Sequence, residues 1–230
     1  AGRDFFYMVR IRLLTSNKLN WKASFFVIML WEFASALSPG VVGGTAVAMF
    51  ILNRETIPFG KATAIVIITA FMDNLFYVIM IPLVFLFINH HDLFPVDEGS
   101  TILLTWWFWI GFSIISLVCL FLYLTIFWHP KLATKSLLLI FSLPFLKRWK
   151  FIAKEWGKDI ETASKEFKLA NRTYWVKVFS ATFGSWISRY LVINAILNAF
   201  IELNLIENIQ ILAKQLVLWL FMLVSPTPGG

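Results

Sequence analysis

A single cysteine, Cys119, stands in this chain of 230 residues, and it sits inside an apolar run. Neither a disulfide framework nor a thiolate metal site can be built within the chain from one thiol, so the redox compartment goes unread. Charged residues are scarce as well, at 14%, too few to coat a water-soluble core of this length. Residues 90–100 contain no lysine or arginine, and no charged-then-apolar leader opens the chain, which begins Ala1-Gly2-Arg3-Asp4. With that start and an end at Gly230, the chain reads as one domain, residues 1–230, cut from a longer protein at both ends.

Enzyme signatures are equally thin. Gly43-Gly44 has no strand, lysine or helix cap around it of the kind that phosphate and dinucleotide loops require. His90 and His91 adjoin Asp92 in a loop, without the spacing of a metal-ligand motif, which favours a solvated loop. No nucleophile is paired with a base. The expectation is a chain with no catalytic residues, no metal and no cofactor of its own.

What is abundant is hydrophobic bulk. Apolar residues make up 59% of the chain, with 24 Phe and 11 Trp, and mean hydropathy is +0.76. Several runs exceed the ~18 residues that suggest a span. The predicted fold class is therefore an all-α integral membrane protein, a polytopic helical bundle. Runs at 62–87, 101–128 and 178–203 are long enough to cross with tilt, and Trp128, Trp156 and Trp175, where runs meet polar stretches, suit interfacial anchors.

Two of the apolar runs break in nearly the same way. Residues 23–53 are split by Ser38-Pro39-Gly40, followed by Gly43-Gly44, and a run at 211–224 ends on Ser225-Pro226-Thr227-Pro228-Gly229-Gly230. Proline removes a backbone donor and glycine weakens the helix, so each break frees polar backbone that must be buried in protein or face a wet cavity. The halves of the first run are each too short for a roughly 30 Å hydrocarbon core, which predicts a re-entrant hairpin.

Charge orients the spans. Residues 129–177 carry eleven Lys or Arg against four acids, a net +7 equal to that of the whole chain. The positive-inside rule places this segment in the cytoplasm together with the basic residues 1–22, and the 90–100 loop and the polar link 204–210 outside. Counting crossings, the two breaks enter from opposite faces, the pattern of an inverted repeat with a site between its halves. Within the basic segment Ile152, Trp156, Ile160, Ala163 and Phe167 recur at helical spacing, with Lys154, Lys158, Lys165 and Lys168 off the stripe. That is an amphipathic helix, lying either on anionic headgroups or as an elbow packed on the rest of the domain. Nucleic acid is not expected as a partner, since no nucleic-acid motif accompanies the charges.

The apolar run closing on Ser38-Pro39-Gly40 with Gly43-Gly44, the following Phe50-Ile51-Leu52-Asn53-Arg54, and the terminal Pro226-Thr227-Pro228-Gly229-Gly230 resemble the lysylphosphatidylglycerol synthase membrane-region family, also called flippase-like. The resemblance spans nearly the whole chain. The glutamate that usually follows the terminal motif in that family is not in this chain. The resemblance implies a cytoplasmic-membrane domain linked to moving a lipid, such as an aminoacylated phospholipid or a lipid-linked sugar, between leaflets. It leaves two other functions open: the membrane part of an aminoacyl or glycosyl transferase, and a scaffold for a glycosyltransferase or synthase. Implied partners are membrane lipids with anionic headgroups.

Intramembrane polar residues point the same way from chemistry alone. An Asp or Arg at a helix centre costs ~2.5 to 3.5 kcal/mol on insertion scales, so each implies a partner, a cavity or a function. Asp73 lies mid-run with Thr69 and Tyr77 four residues to either side, either facing a cavity or serving as a buried acceptor. Arg189 lies within the fourth run with Ser185 on its face. It could grip a lipid phosphate with its guanidinium fork, or pair with Asp73 or Glu32. Glu32 stands less than two turns before the first break. Tyr190, Asn194, Asn198 and Glu202 form a stripe suited to interhelical hydrogen bonding, and Arg54 can snorkel to headgroups. The break residues Ser38, Pro39, Gly40, Gly43, Gly44, Ser225, Pro226, Pro228, Gly229 and Gly230, with Glu32, Asp73 and Arg189, form the candidate lipid-contacting set.

Overall fold

The computed structural model describes residues 2–37, 41–88, 98–140 and 150–224, with Leu93 and Ser142. Within them the chain folds as helices α1 (Gly2–Leu14), α2 (Trp21–Leu37), α3 (Val41–Arg54), α4 (Phe59–Phe87), α5 (Glu98–Tyr123), α6 (Pro130–Ile140), α7 (Lys150–Lys168), α8 (Arg172–Asn198) and α9 (Leu205–Val224). A π-helical turn, Leu124–Trp128, extends α5. No strand occurs among the described residues. Three helices are long and apolar enough to cross a membrane, over Phe59–Phe87, Thr105–Trp128 and Leu205–Met222. The protein is an all-α integral membrane protein.

Local chemistry sets the helix starts. Pro58, extended at ψ 140°, stands at the N-cap of α4, where its missing donor costs nothing. Asn20 and Asn171 cap α2 and α8 by accepting from the amides of Ala23 and Tyr174, each at 2.8 Å. Asn204 and Glu207 form a reciprocal capping box, with Glu207 N–H to Asn204 Oδ1 at 2.9 Å and Asn204 N–H to Glu207 Oε2 at 2.8 Å. That box starts α9 at Leu205, so most of the link expected at 204–210 is helix. Likewise the first turn of α5 takes up Glu98 to Ser100, which were expected in the preceding loop.

Helix α8 differs from the three spans in composition. At 27 residues it is roughly 40 Å long, yet it is not one of the three apolar spans, because Ser180, Ser185, Ser188, Arg189 and Asn194 interrupt its hydrocarbon. One face of it is buried: Val178, Ala181, Thr182, Ser185, Trp186, Tyr190 and Asn194 pack against α1, α4 and α9, while Phe183, Leu191, Val192, Ile193 and Ile196 are exposed on the other.

The N-terminal residues were expected as a basic cytoplasmic stretch. They fold as α1, which runs antiparallel to α8. A Cβ on Gly184 would sit 2.6 Å from the Phe6 ring, so only glycine admits that ring between the helices. Gly2 lies beside Ser188, and at the other end the Tyr174 hydroxyl donates to Leu13 O at 3.4 Å. Arg10 is only 5% exposed.

Helices α2 and α3 pack as a hairpin, tight enough that a Cβ on Gly44 would lie 1.9 Å from Ser35 Oγ. The two breaks, at 38–40 and 225–230, lie outside the described residues, and with them the expected re-entrant tips and their inverted pairing.

The amphipathic α7 is an elbow. Ile160, Ala163 and Phe167 are buried, Trp156 stacks on Phe59 at 4.2 Å, Glu161 accepts from Thr134 at 2.7 Å, and Lys61 pairs with Glu166. Its apolar face thus rests on α4 and α6, while Lys154, Lys158, Lys165 and Lys168 stay exposed. Trp128 is 64% exposed, as an interfacial anchor would be, whereas Trp175 packs edge-on against Phe127 at 5.0 Å. Central to the bundle is α4, which touches α3, α5, α7, α8 and α9. Large apolar side chains such as Leu86, Phe87, Trp106 and Leu117 project outward, as they do where the surrounding solvent is hydrocarbon.

Candidate functional site

The charges expected inside the membrane converge on one cavity of ≈ 430 Å³ between α1, α2, α4 and α8. Its lining includes Glu32, Asp73 and Arg189, which sequence had singled out, and Arg3, Tyr7 and Arg10, which it had not. The three from α1 share a face at i, i+4 and i+7, and the volume falls within the ~300 to 1,000 Å³ typical of ligand sites.

Asp73 is held on three sides. Arg10 Nη1 donates to its Oδ1 at 2.6 Å and Arg10 Nη2 to its Oδ2 at 3.4 Å, while the Trp186 indole N–H donates to Oδ1 at 2.9 Å. Arg10 also donates to Thr182 Oγ1 at 3.2 Å, and its guanidinium lies 4.7 Å from the Tyr7 ring centroid. A forked pair with a ring beneath it fixes both residues. Asp73 thus proves both cavity-lining and a structural acceptor.

Glu32 pairs with Arg3, whose guanidinium also reaches Asp4 Oδ1 at 3.0 Å. The other oxygen of Glu32, Oε1, is buried without a hydrogen-bond partner, as is Thr69 Oγ1, and both residues line the cavity. Buried polar atoms are nearly always satisfied, so orphans gathered around a cavity point to something that fills it.

Arg189 stands apart. Neither Asp73 nor Glu32 is its partner, since Arg10 and Arg3 hold those positions. Among the described residues it has no ion pair or hydrogen bond; its exposed guanidinium lies 5.4 Å from the Trp186 ring centroid and also acts on the Glu32 carboxylate through space. It lies roughly 25 Å along α8 from Arg172 and roughly 14 Å from Asn198, remote from both ends. Three arginines and two carboxylates line the chamber, each acid has its own arginine, and Arg189 is the remaining cation.

The remaining candidates fall around this centre. The stripe on α8 serves as interhelical hydrogen bonding: Tyr190 and Tyr77 hydroxyls meet at 2.6 Å, Asn194 Nδ2 donates to Asn208 O at 2.7 Å, Asn198 Nδ2 donates to Asn208 Oδ1 at 2.7 Å, and Gln215 donates to Asn194 Oδ1 at 3.0 Å. Glu202 lies past the helix end, exposed. Gly44 packs inside the hairpin. Ser38, Pro39, Gly40, Ser225, Pro226, Pro228, Gly229 and Gly230 lie outside the described residues, as does the side-chain environment at Gly43. Ser35 and Ala36, just before the first break, line the chamber.

His90, His91 and Asp92 also lie outside the described residues. Among the described residues no group of three His, Cys, Asp or Glu is placed to hold a metal ion.

The sequence model of one family, described as the lysylphosphatidylglycerol synthase TM region, matches residues 5–230. No curated protein and no solved structure matches the chain.

Proposed function

The chain belongs to the lysylphosphatidylglycerol synthase TM-region family, a membrane domain associated with lipid modification or transport, and from that premise we propose that it moves an anionic, aminoacylated or glycan-linked lipid between the leaflets of the cytoplasmic membrane. The observation that carries this reading is Arg189: an exposed guanidinium well inside α8, with no ion pair among the described residues, lining a cavity whose other charges are paired.

An exposed arginine placed along a membrane-embedded helix, with no ion pair among the described residues, is available to an anion that arrives with the ligand. A phosphodiester supplies that anion, and its oxygens match the guanidinium fork. The chemistry needed is binding and release, for which the chamber offers hydrogen-bond donors and acceptors and no nucleophile paired with a base. Any aminoacyl or glycosyl transfer belongs to a separate partner or domain. In this reading the charge asymmetry orients Lys18, Arg54 and the 129–177 segment toward the cytoplasm.

A leaflet-specific lipid assay in a deletion strain, with total lipid composition measured in parallel, tests the reading. Translocation predicts that one lipid stays at normal abundance but disappears from the outer leaflet. A fall in total abundance of an aminoacylated or glycosylated lipid would instead assign the chain to its synthesis.

A further inference from the structure

Beyond the charged chamber lies a second cavity of ≈ 480 Å³ between α1, α8 and α9. Two side chains, Arg3 and Arg189, line both cavities. The far walls of the second are apolar: Val192 and Ile193 on α8, and Leu218, Trp219 and Met222 on α9. Val192 and Ile193 lie three and four residues beyond Arg189, on the same face of α8 and one turn along. Val192 is 55% and Leu218 58% exposed, so the groove opens sideways where the bundle meets hydrocarbon. Met222, three residues before the second break, lines it too.

Resting on the reading of Arg189 as a phosphate ligand, we infer that the two cavities are one bipartite site for a phospholipid. The acyl chain lies in the α8–α9 groove, the phosphate sits between Arg3 and Arg189, and the headgroup occupies the chamber beside Glu32. Three observations select a lipid over a soluble anion. The far walls of the groove are apolar and laterally open, which a free phosphate does not need. Its polar end carries two guanidiniums beside Asp4: Arg3, shared between Asp4 and Glu32, and Arg189, which has no ion pair among the described residues. On the chamber side, the unpartnered Glu32 Oε1 and Thr69 Oγ1 offer hydrogen-bonding sites for the polar headgroup that follows the phosphate. Polarity thus changes from hydrocarbon to cation to mixed charge, in the order in which a phospholipid presents those parts.

The test is photo-crosslinking of the full chain in phosphatidylcholine vesicles doped with phosphatidylglycerol bearing a diazirine at one acyl terminus. Diacylglycerol with the same labelled chain serves as the comparison probe, and adducts are mapped by mass spectrometry. Labelling of peptides containing Val192, Ile193, Leu218 and Met222 is expected to favour the phosphatidylglycerol probe about tenfold, the worth of one charge-assisted contact. Arg189→Gln removes that preference, Arg189→Lys keeps part of it, and Leu218→Trp, a filling change at an exposed position, lowers labelling by both probes. Equal labelling by the two probes, or a preference that survives Arg189→Gln, overturns the inference and makes the groove ordinary boundary-lipid surface. Preferential labelling without transfer between leaflets leaves the site standing and refutes translocation. Transfer without preferential labelling does the reverse.

Discussion

Asp73→Asn separates the two intramembrane charges that sequence alone treated alike. Arg10 is 5% exposed and its principal partner is Asp73 Oδ1 at 2.6 Å. Replacing the carboxylate by an amide keeps an acceptor for the Trp186 indole but leaves the guanidinium buried without a counter-charge. Removing one member of a buried pair costs about 3 to 5 kcal/mol. For a chain of this size each kcal/mol shifts Tm by about 2 to 4 °C, so a fall of roughly 6 to 20 °C is expected. Thermal unfolding of the detergent-solubilised protein, followed by intrinsic tryptophan fluorescence, reads this directly. Because apolar replacement of both members is often neutral, Arg10→Met combined with Asp73→Leu should recover most of the loss, and the pair should be strongly non-additive. An Asp73→Asn variant that melts within 2 °C of the parent, or single changes that simply add, would refute the pairing of α1 with α4.

Other expectations follow from the same geometry. In intact cells, cysteine at position 158 should resist an impermeant thiol reagent and cysteine at 97 should react, the buried Cys119 staying silent; the reverse pattern inverts the topology. Gly44→Ala, whose methyl would meet Ser35, should lower stability by about 1 to 3 kcal/mol, and Ser35→Gly should restore part of it. No coupling between those two would mean the hairpin packs differently. Tyr77→Phe removes the buried hydroxyl that meets Tyr190 and should cost about 1 to 3 kcal/mol, read as a lower melting temperature with lipid transfer retained in the protein that stays folded.

Much of the architecture was legible in the sequence, for physical reasons. Hydrocarbon demands long uniform runs, so α4 and α5 announce themselves, whereas α9 reads only as a shorter run at 211–224 because its first turn lies in what looks like a polar link. The α7 stripe was visible because its period alternates sharply with lysines, and its packing as an elbow depended on Phe59 and Thr134, which no local pattern links to it. Glu32, Asp73 and Arg189 stood out by the cost of a charge in lipid, and they do line one cavity. Their pairing was not legible, because the partners Arg3 and Arg10 sit in a helix of mixed composition that reads as cytoplasmic by charge count. The signal that could have found them was the spacing of Arg3, Tyr7 and Arg10 on one helical face. Helix α8 kept the length expected of its run, but its serines and asparagines put it below the hydropathy of α4, α5 and α9, and they lie mostly on the face that packs on α1, α4 and α9.

Arg189 carries the central claim, and its own substitution tests it most directly. Arg189 makes no ion pair among the described residues, so Arg189→Gln should leave the folded protein and its melting temperature unchanged. In vesicles loaded with a headgroup-labelled anionic phospholipid, transfer between leaflets should fall to the protein-free rate with Arg189→Gln and be partly retained with Arg189→Lys, whose point charge cannot fork. Parental transfer rates for Arg189→Gln, measured on protein of equal amount and stability, would contradict the account.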